Sequence, residues 1–414
     1  MLHGKMAVDW HPGIDFDKLR RDRVARANEM MHKYDIGAAI IYSWDSRRYL
    51  SSVWNHPYSR HIPFYYALLI RDAGFPYIHV AKLDGLQVAR DCPWLEGRLI
   101  EDWEHGVSRV NHMLPDADAE KLWRRNAQEI KGILKEHGVE NERVSLDWAG
   151  PNLMRALDAE GLKVVDGNPW MLEARMIKTD EEIALLKMAA ICNEAGYSAV
   201  VEKVRPGWRE NDVQAVMAEA IYRSGADYIE GWVINSGERT SPRCFNSSDR
   251  VIRPGEILIA EACHVTFCGY KVCYDRTFVV GSKPTKLQTE LYSVAVDTHH
   301  KLMDLLKPGV TTHDVARLKP RPTPPFRNLE DLNNYRSQWL NHLGGMGIAW
   351  FEAPYINLKE PEIVLQKNMV FAYHINFWVE GAEGVAIENS YRITDTGVEN
   401  LCKWPYEELQ VIGF

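Results

Sequence analysis

Two carboxyl groups stand in segments that a folding chain would bury. Asp275 lies in YKVCYDRTFVV and Glu388 in VAIENSY, both runs otherwise rich in apolar residues. A carboxylate in such a strand is costly unless it is partnered. Its partner is either a structural one, with Arg276 or Arg392 at hand, or a ligand in a functional site. His374 interrupts MVFAYHINFWV in the same way. It is either a core residue with its hydrogen bonds met or a group that moves protons. In GEILIAEACHV, strict strand alternation puts Glu261 and Cys263 on one face and His264 on the other. Four of the seven cysteines, Cys244, Cys263, Cys268 and Cys273, crowd into one short stretch. A thiolate among them would be a nucleophile; a buried thiol would only fill space.

These residues need a scaffold, and the chain has the material for one. It carries 414 residues, a 46% hydrophobic fraction and 14 Trp, 18 Tyr and 11 Phe, which excludes a disordered chain and suits two domains. A net charge of -8 argues against nucleic acid as the main partner, because a phosphate polymer requires a broad cationic face. No run approaches the ~20 apolar residues of a membrane span, and the first residues, MLHGKMAVDWHPGIDF, show no apolar signal core. The odd cysteine count and the absence of a CxxC pair speak against a disulfide scaffold or zinc ribbon. A reduced, cytoplasmic protein is the expectation.

Residues 15–34 show helical spacing of Phe16, Leu19, Val24, Ala27, Met30 and Tyr34. AAIIYS, FYYALLI, PYIHVA and VSLDWAG read as strands, giving an α/β domain over residues 1–168. Thr179-Asp180-Glu181-Glu182 has capping-box spacing and opens a long helix. Two helices, then strands EGWVINSG, GEILIAEACHV and YKVCYDRTFVVG, a helix over 285–306, and strands MVFAYHINFWV and AIENSYRIT make an α+β domain over 169–414. RLKPRPTPPFRN at 317–328 is a Pro-rich loop.

The segment order ARMIKTDEEIALLKMAA, SGERTSPRCFNSSDRVIRPGEILIAEACHV, KPGVTTHDVAR and NMVFAYHINFWVEGAEGVAIENSYRITDTG resembles the pita-bread family. That family includes aminopeptidase P, prolidase, creatinase, ectoine hydrolase and the dimethylsulfoniopropionate lyases. The resemblance implies a pita-bread C-terminal domain behind a creatinase-type α/β N-terminal domain. The family's peptidases hold two metal ions with two Asp, one His and two Glu. Carried onto this chain, the first Asp falls near Glu261–Cys263 and the second on Cys273. The His of the glycine-rich turn falls near Gly344 in NHLGGMG, with His342 close by, and the first Glu falls on His374. Only Glu388 keeps its identity, so the resemblance implies a chain without the dinuclear metal centre.

What remains resembles creatinase and ectoine hydrolase, which cleave C–N bonds in small amidine-type molecules. Asp275, just before Arg-Thr, matches a carboxylate that contacts the guanidinium group in creatinase, and Glu388 matches a second. Paired carboxylates suit a planar cation. By spacing, Cys244 falls where creatinase has its catalytic His. It is then either a nucleophile, with His264 or His374 as base, or a small residue filling the space of a lost imidazole. Arg60, in WNHPYSRHIPFYY, lies near an arginine that crosses a creatinase dimer interface to hold substrate. Trp232 and Phe351 are expected as apolar walls. The resemblance therefore implies a homodimer acting on a small molecule, with Cys244, His374, Asp275 and Glu388 catalytic and Arg60, Trp232, Glu261, His264 and Phe351 binding substrate. The expected reaction is hydrolysis of a non-peptide C–N bond. Two alternatives stay open. One is a lyase acting on a sulfonium or related onium compound, with a single zinc or iron ion on Cys263 or Cys273, His374 and Glu388. The other is a member that binds its ligand without turning it over.

Overall fold

Ala38–Ile41, an unbroken apolar run, forms a strand with all four residues buried. Such a run suits a central strand covered on both faces. In this computed structural model, which describes residues 13–54, 65–102, 116–148, 150–318, 337–349, 352–379 and 382–414, the chain divides into two units, Met1–Arg175 and Met176–Phe414. The first unit is built on six strands: β1 (Ala38–Ile41), β2 (Ala67–Ile70), β3 (Tyr77–Ala81), β4 (Leu99–Asp102), β5 (Arg143–Leu146) and β6 (Lys163–Asp166). Their order is β4-β3-β2-β1-β5-β6. β1 runs antiparallel to β2 and parallel to β5, so the sheet is mixed. The helix Phe16–Lys33 is capped by Asp15, whose carboxylate accepts from Lys18 N at 2.8 Å, and buries Leu19, Val24, Ala27 and Met31.

The second unit places two sheets around the chemistry. A five-stranded sheet contains β7 (Tyr228–Ser236), β8 (Ile257–Phe267), β9 (Tyr270–Val272), β10 (Asp275–Val280) and, after the second sheet in the chain, β15 (Gln410–Ile412). A four-stranded sheet contains β11 (Ser337–Gly345), β12 (Val370–Val379), β13 (Gly384–Ile393) and β14 (Val398–Asn400). The helix Asp180–Lys203 starts with the expected capping box: Glu182 N donates to Thr179 Oγ1 at 3.2 Å, and Thr179 N donates to Glu182 Oε2 at 2.7 Å. It packs on β8, where the buried Tyr197 hydroxyl lies within hydrogen-bond reach of the Ala260 and Tyr274 carbonyls. The helix Lys286–Leu305 packs on β12 and β13 and joins Phe371, Tyr373, Ile375 and Ile387 in one apolar core. None of the described helices is long and apolar enough to cross a membrane.

His299 of that helix is fully buried, with Nδ1 2.9 Å from the Tyr391 hydroxyl and Nε2 3.0 Å from the Ile387 carbonyl. A neutral ring meets both: Nε2–H donates to the carbonyl and Nδ1 accepts from the hydroxyl. Burial holds its pKa down at about 3, against 6.5 in an unfolded chain. The stability this group contributes is therefore full above pH 6.5 and declines as the pH falls from there towards 3. Wild type is expected to lose about 2 kcal/mol between pH 7 and 5 through this residue. Urea titrations should show this loss in wild type and a flatter profile in His299→Gln; equal slopes would overturn the assignment.

Candidate active site

The site forms where the two sheets of the second unit meet. On β8 and β10, Glu261 and Asp275 are direct cross-strand neighbours; on β12 and β13, His374 and Glu388 are. Arg276 ties the pairs together. Its guanidinium donates to the carbonyls of Asp275 (2.7 Å) and Glu388 (2.8 Å) and to Asn389 Oδ1 (2.9 Å). It thus serves the backbone and leaves the carboxylates to other partners, unlike the side-chain pair the sequence suggested. Arg392 likewise turns away, to Glu399 at 3.2 Å.

The cation that does meet the carboxylates is Arg243, which the sequence reading passed over. Nη1 donates to Asp275 Oδ2 at 2.7 Å and to Asn376 Oδ1 at 2.9 Å, and lies 2.5 Å from His374 Nε2. Nη2 donates to Glu261 Oε2. The loop that delivers it is pinned at both ends: Ser236 and Arg239 bind the buried Glu210 carboxylate, and Cys244 N donates to Asn235 Oδ1 at 3.0 Å. A signal for Arg243 existed. Three carboxyls in apolar strands require a buried cation, and this loop returns one.

His374 sits between two carboxyls of unlike character. Nε2 is 2.7 Å from Asp275 Oδ2, and Nδ1 is 3.9 Å from Glu388 Oε2. Burial pushes Asp275 up, but the neighbouring His374 and Arg243 outweigh it and hold the carboxyl below its ordinary range. Burial raises Glu388, and the nearby Asp275 charge adds to that. One ring nitrogen cannot donate to Asp275 and accept from Arg243 at the same time. The proton on His374 therefore has two seats: Nε2, facing Asp275, or Nδ1, facing Glu388.

A cavity of about 320 Å³ opens onto this floor, reached by Arg243, Glu261, His374 and Glu388. Its walls are apolar, with Val233, Phe245, Met346 and Ala372. Cys263, Cys273 and His264 also line it. Glu261 Oε1 accepts from Cys263 Sγ at 2.9 Å and Cys273 Sγ at 3.1 Å. The Cys273 thiol is pushed well above its usual value by its hydrogen bond to Cys263 and by burial, so it stays a thiol.

Three expectations need correction here. His264 and Cys263 do not fall on opposite faces. Glu261 pairs with Asp275 and Val265 with Val272, so three residues of β8 oppose two on the partner side. His264 takes φ 52° in this bulge, and both residues line the cavity. Cys244 does not line the cavity; the loop register is displaced by one, and Arg243 and Phe245 do. Trp232 also falls outside the lining, because alternation along β7 gives that face to Val233. Arg60 and Phe351 lie outside the described residues, as does most of the 317–328 loop.

The sequence profile described as metallopeptidase family M24 matches residues 184–395, more than half of the chain. The chain belongs to metallopeptidase family M24. Its similarity to an uncharacterized hydrolase/peptidase of Sinorhizobium fredii is 30% identity over 249 residues, 59% of this chain and 61% of that one. A dimethylsulfoniopropionate lyase of Roseovarius nubinhibens is 24% identical over 412 residues, covering 95% of this chain and 87% of the relative. Among solved structures, the Xaa-Pro dipeptidase of Bacillus anthracis superposes with a TM-score of 0.74 at 19% identity, over 94% of this chain and 99% of that one. The dipeptidase PepE of Mycobacterium ulcerans gives 0.73 at 20%, over 97% and 100%. The fold is that of the pita-bread enzymes, as expected, and membership makes the chain one of the M24 hydrolase-type enzymes.

The two-metal centre of M24 peptidases does not fit these residues. Among the described residues, two donor sets come together: Glu261, Asp275, His374 and Glu388, and Glu261 with Cys263 and Cys273. In the first, a guanidinium already bonds Glu261 and Asp275 and touches His374. In the second, the Cys273 thiol is held protonated and the other Glu261 oxygen is taken by Arg243. A thiol must ionise before it can bind a metal ion.

Proposed function

We propose that this M24 protein hydrolyses a non-peptide C–N bond in a small cationic or zwitterionic molecule, of the amidine or cyclic amidine class, with side-chain acid–base chemistry in place of the two metal ions. The observation that carries the reading is His374 set between Asp275 and Glu388 at the floor of a small cavity. At about 320 Å³ the cavity lies at the small end of ligand sites. A cationic substrate beside Glu388 favours its ionised form, so binding arms the base. Glu388 then takes a proton from water as the water oxygen bonds to the substrate carbon. That proton passes, with His374 Nδ1 as its other seat, to the leaving nitrogen as the C–N bond breaks. Asp275, behind the ring, fixes its orientation and balances its charge.

Chelator-treated protein should be screened against amidines, cyclic amidines, betaines and sulfonium compounds. The expected result is amine or ammonia release unaffected by chelator, lowered on the order of 10²–10⁴-fold in His374→Ala. Cleavage of Xaa-Pro dipeptides that depends on added metal would overturn the reading.

A second reading has an observation of its own. The lyase relative aligns over 95% of this chain, and the cavity wall carries an aromatic, Phe245, suited to an onium group. Elimination consumes no water, so the absence of ¹⁸O from labelled water in the products would favour it over hydrolysis. The homodimer expected from the resemblance remains part of the proposal, to be read by light scattering.

A further inference from the structure

We propose that Arg243 is the resident cation of this site: its guanidinium takes the place of a divalent metal ion among Glu261, Asp275 and His374 and keeps that place closed to metal. The metal-free chemistry proposed above leans on this cation, but the cation needs no substrate, so failure of the hydrolysis screen would leave it standing.

The donor set is of the kind that collects metals. Ligand atoms of Glu261, Asp275, His374 and Glu388 lie within 4.8 Å of one another, all four residues buried. Two carboxylates and an imidazole converging this closely repel or desolvate one another unless a cation sits among them. Arg243 is that cation. It is buried, and each of its terminal nitrogens is committed: Nη2 to Glu261, and Nη1 to Asp275 and Asn376 beside the His374 ring. Among the described residues, the Lys or Arg side chain in contact with the Glu261 and Asp275 carboxylates is Arg243, with the His374 ring facing Asp275 beside it. Other buried cations nearby are engaged elsewhere. Arg276 serves backbone carbonyls and Asn389, Lys178 pairs with Glu352 at 2.8 Å, and Lys271 lies 3.5 Å from Glu230. A metal ion entering this set would have to displace the guanidinium from both carboxylates and leave it buried without an anion. A planar fork also accounts for the choice of arginine, since it can bridge two carboxylates on neighbouring strands with a rigid geometry.

If Arg243 holds the place of a metal, removing it should open a metal site. Wild type, Arg243→Ala and Arg243→Lys are dialysed against Mn²⁺ or Zn²⁺ and bound metal is measured by elemental analysis, with melting temperatures taken with and without the ion. Wild type and Arg243→Lys are expected to retain well under about 0.1 equivalent, and Arg243→Ala roughly one, with melting raised by the ion in that variant alone. Guanidinium chloride at low millimolar concentration should likewise raise the melting temperature of Arg243→Ala relative to matched NaCl, and leave wild type unchanged. If Arg243→Ala folds only when metal or guanidinium is supplied, that also supports the assignment. Stoichiometric metal uptake by wild type would overturn it, whatever the variants do. So would an Arg243→Ala protein that folds, takes up no metal and ignores guanidinium.

Discussion

Glu388→Gln should slow turnover by orders of magnitude and at the same time raise the melting temperature. Both effects follow from one feature: this carboxyl is buried without a cation of its own. Oε2 is enclosed without a hydrogen-bond partner, and His374 Nδ1 is 3.9 Å away, beyond hydrogen-bond reach. Burial and the Asp275 charge raise its pKa above the ordinary 4.5. A raised carboxyl contributes stability that is full below its unfolded value and lost as the pH rises through its folded value. At neutral pH the ionised group is a burden that an amide of the same shape does not carry. The substitution should gain on the order of 1 kcal/mol, or about 2–4 °C, near pH 7–8. That gain should fade towards pH 4.5, where wild type holds the proton as well. Removing the acid–base group should cost on the order of 10²–10⁴ in kcat. Melting curves from pH 4.5 to 8 alongside kinetics on whichever substrate the screen yields will read both effects. A variant that melts lower and turns over normally would make Glu388 a structural acid and remove it from the mechanism.

The same physical reasoning separates what the sequence showed from what it hid. Asp275, Glu388, His374 and Glu261 were legible because each is a polar residue inside an apolar strand, and such a residue must have a partner. The helix starting at Asp180 was legible from its capping box, and the α/β and α+β halves from periodicity. Arg243 was hidden because it sits in a loop, where neither periodicity nor burial can be read from the chain. Its role depends on where that loop returns. Spacing brought attention to within one residue, at Cys244, but one residue in a loop selects a different side chain. His264 was misplaced because alternation assumes a regular strand, and a bulge changes the count from 261 onwards. NHLGGMG, read as a glycine-rich turn, begins inside strand β11, and Gly345 ends that strand. A side chain there would collide with the backbone of Glu352 and Ala353, so this glycine marks close approach of chains.

Asp275→Asn should have the opposite sign from Glu388→Gln, although both replace a buried carboxyl by its amide across the same ring. Asp275 is completely buried, and its Oδ2 accepts from Arg243 Nη1 and faces His374 Nε2, both at 2.7 Å. An amide oxygen carries no compensating charge. Arg243 would then share only Glu261, and His374 would lose the group that orients it. Breaking a buried, hydrogen-bonded charge pair costs about 3–5 kcal/mol, a fall on the order of 10 °C in melting temperature. The pH dependence identifies the cause. Asp275 is held below its ordinary 3.8, so its contribution is full above that value and is lost as the pH falls through the lower, folded one. The gap between wild type and variant should be constant through neutral pH and close only in acid, below about pH 4. Pairing the substitution with Arg243→Met tests the coupling directly. If the two residues stabilise each other, the double variant should lose less than the two single losses added together, because the second removal no longer strands a charge. Strict additivity would mean that Asp275 acts through packing alone. Two carboxyls on either side of one imidazole would then differ for reasons other than the cation between them.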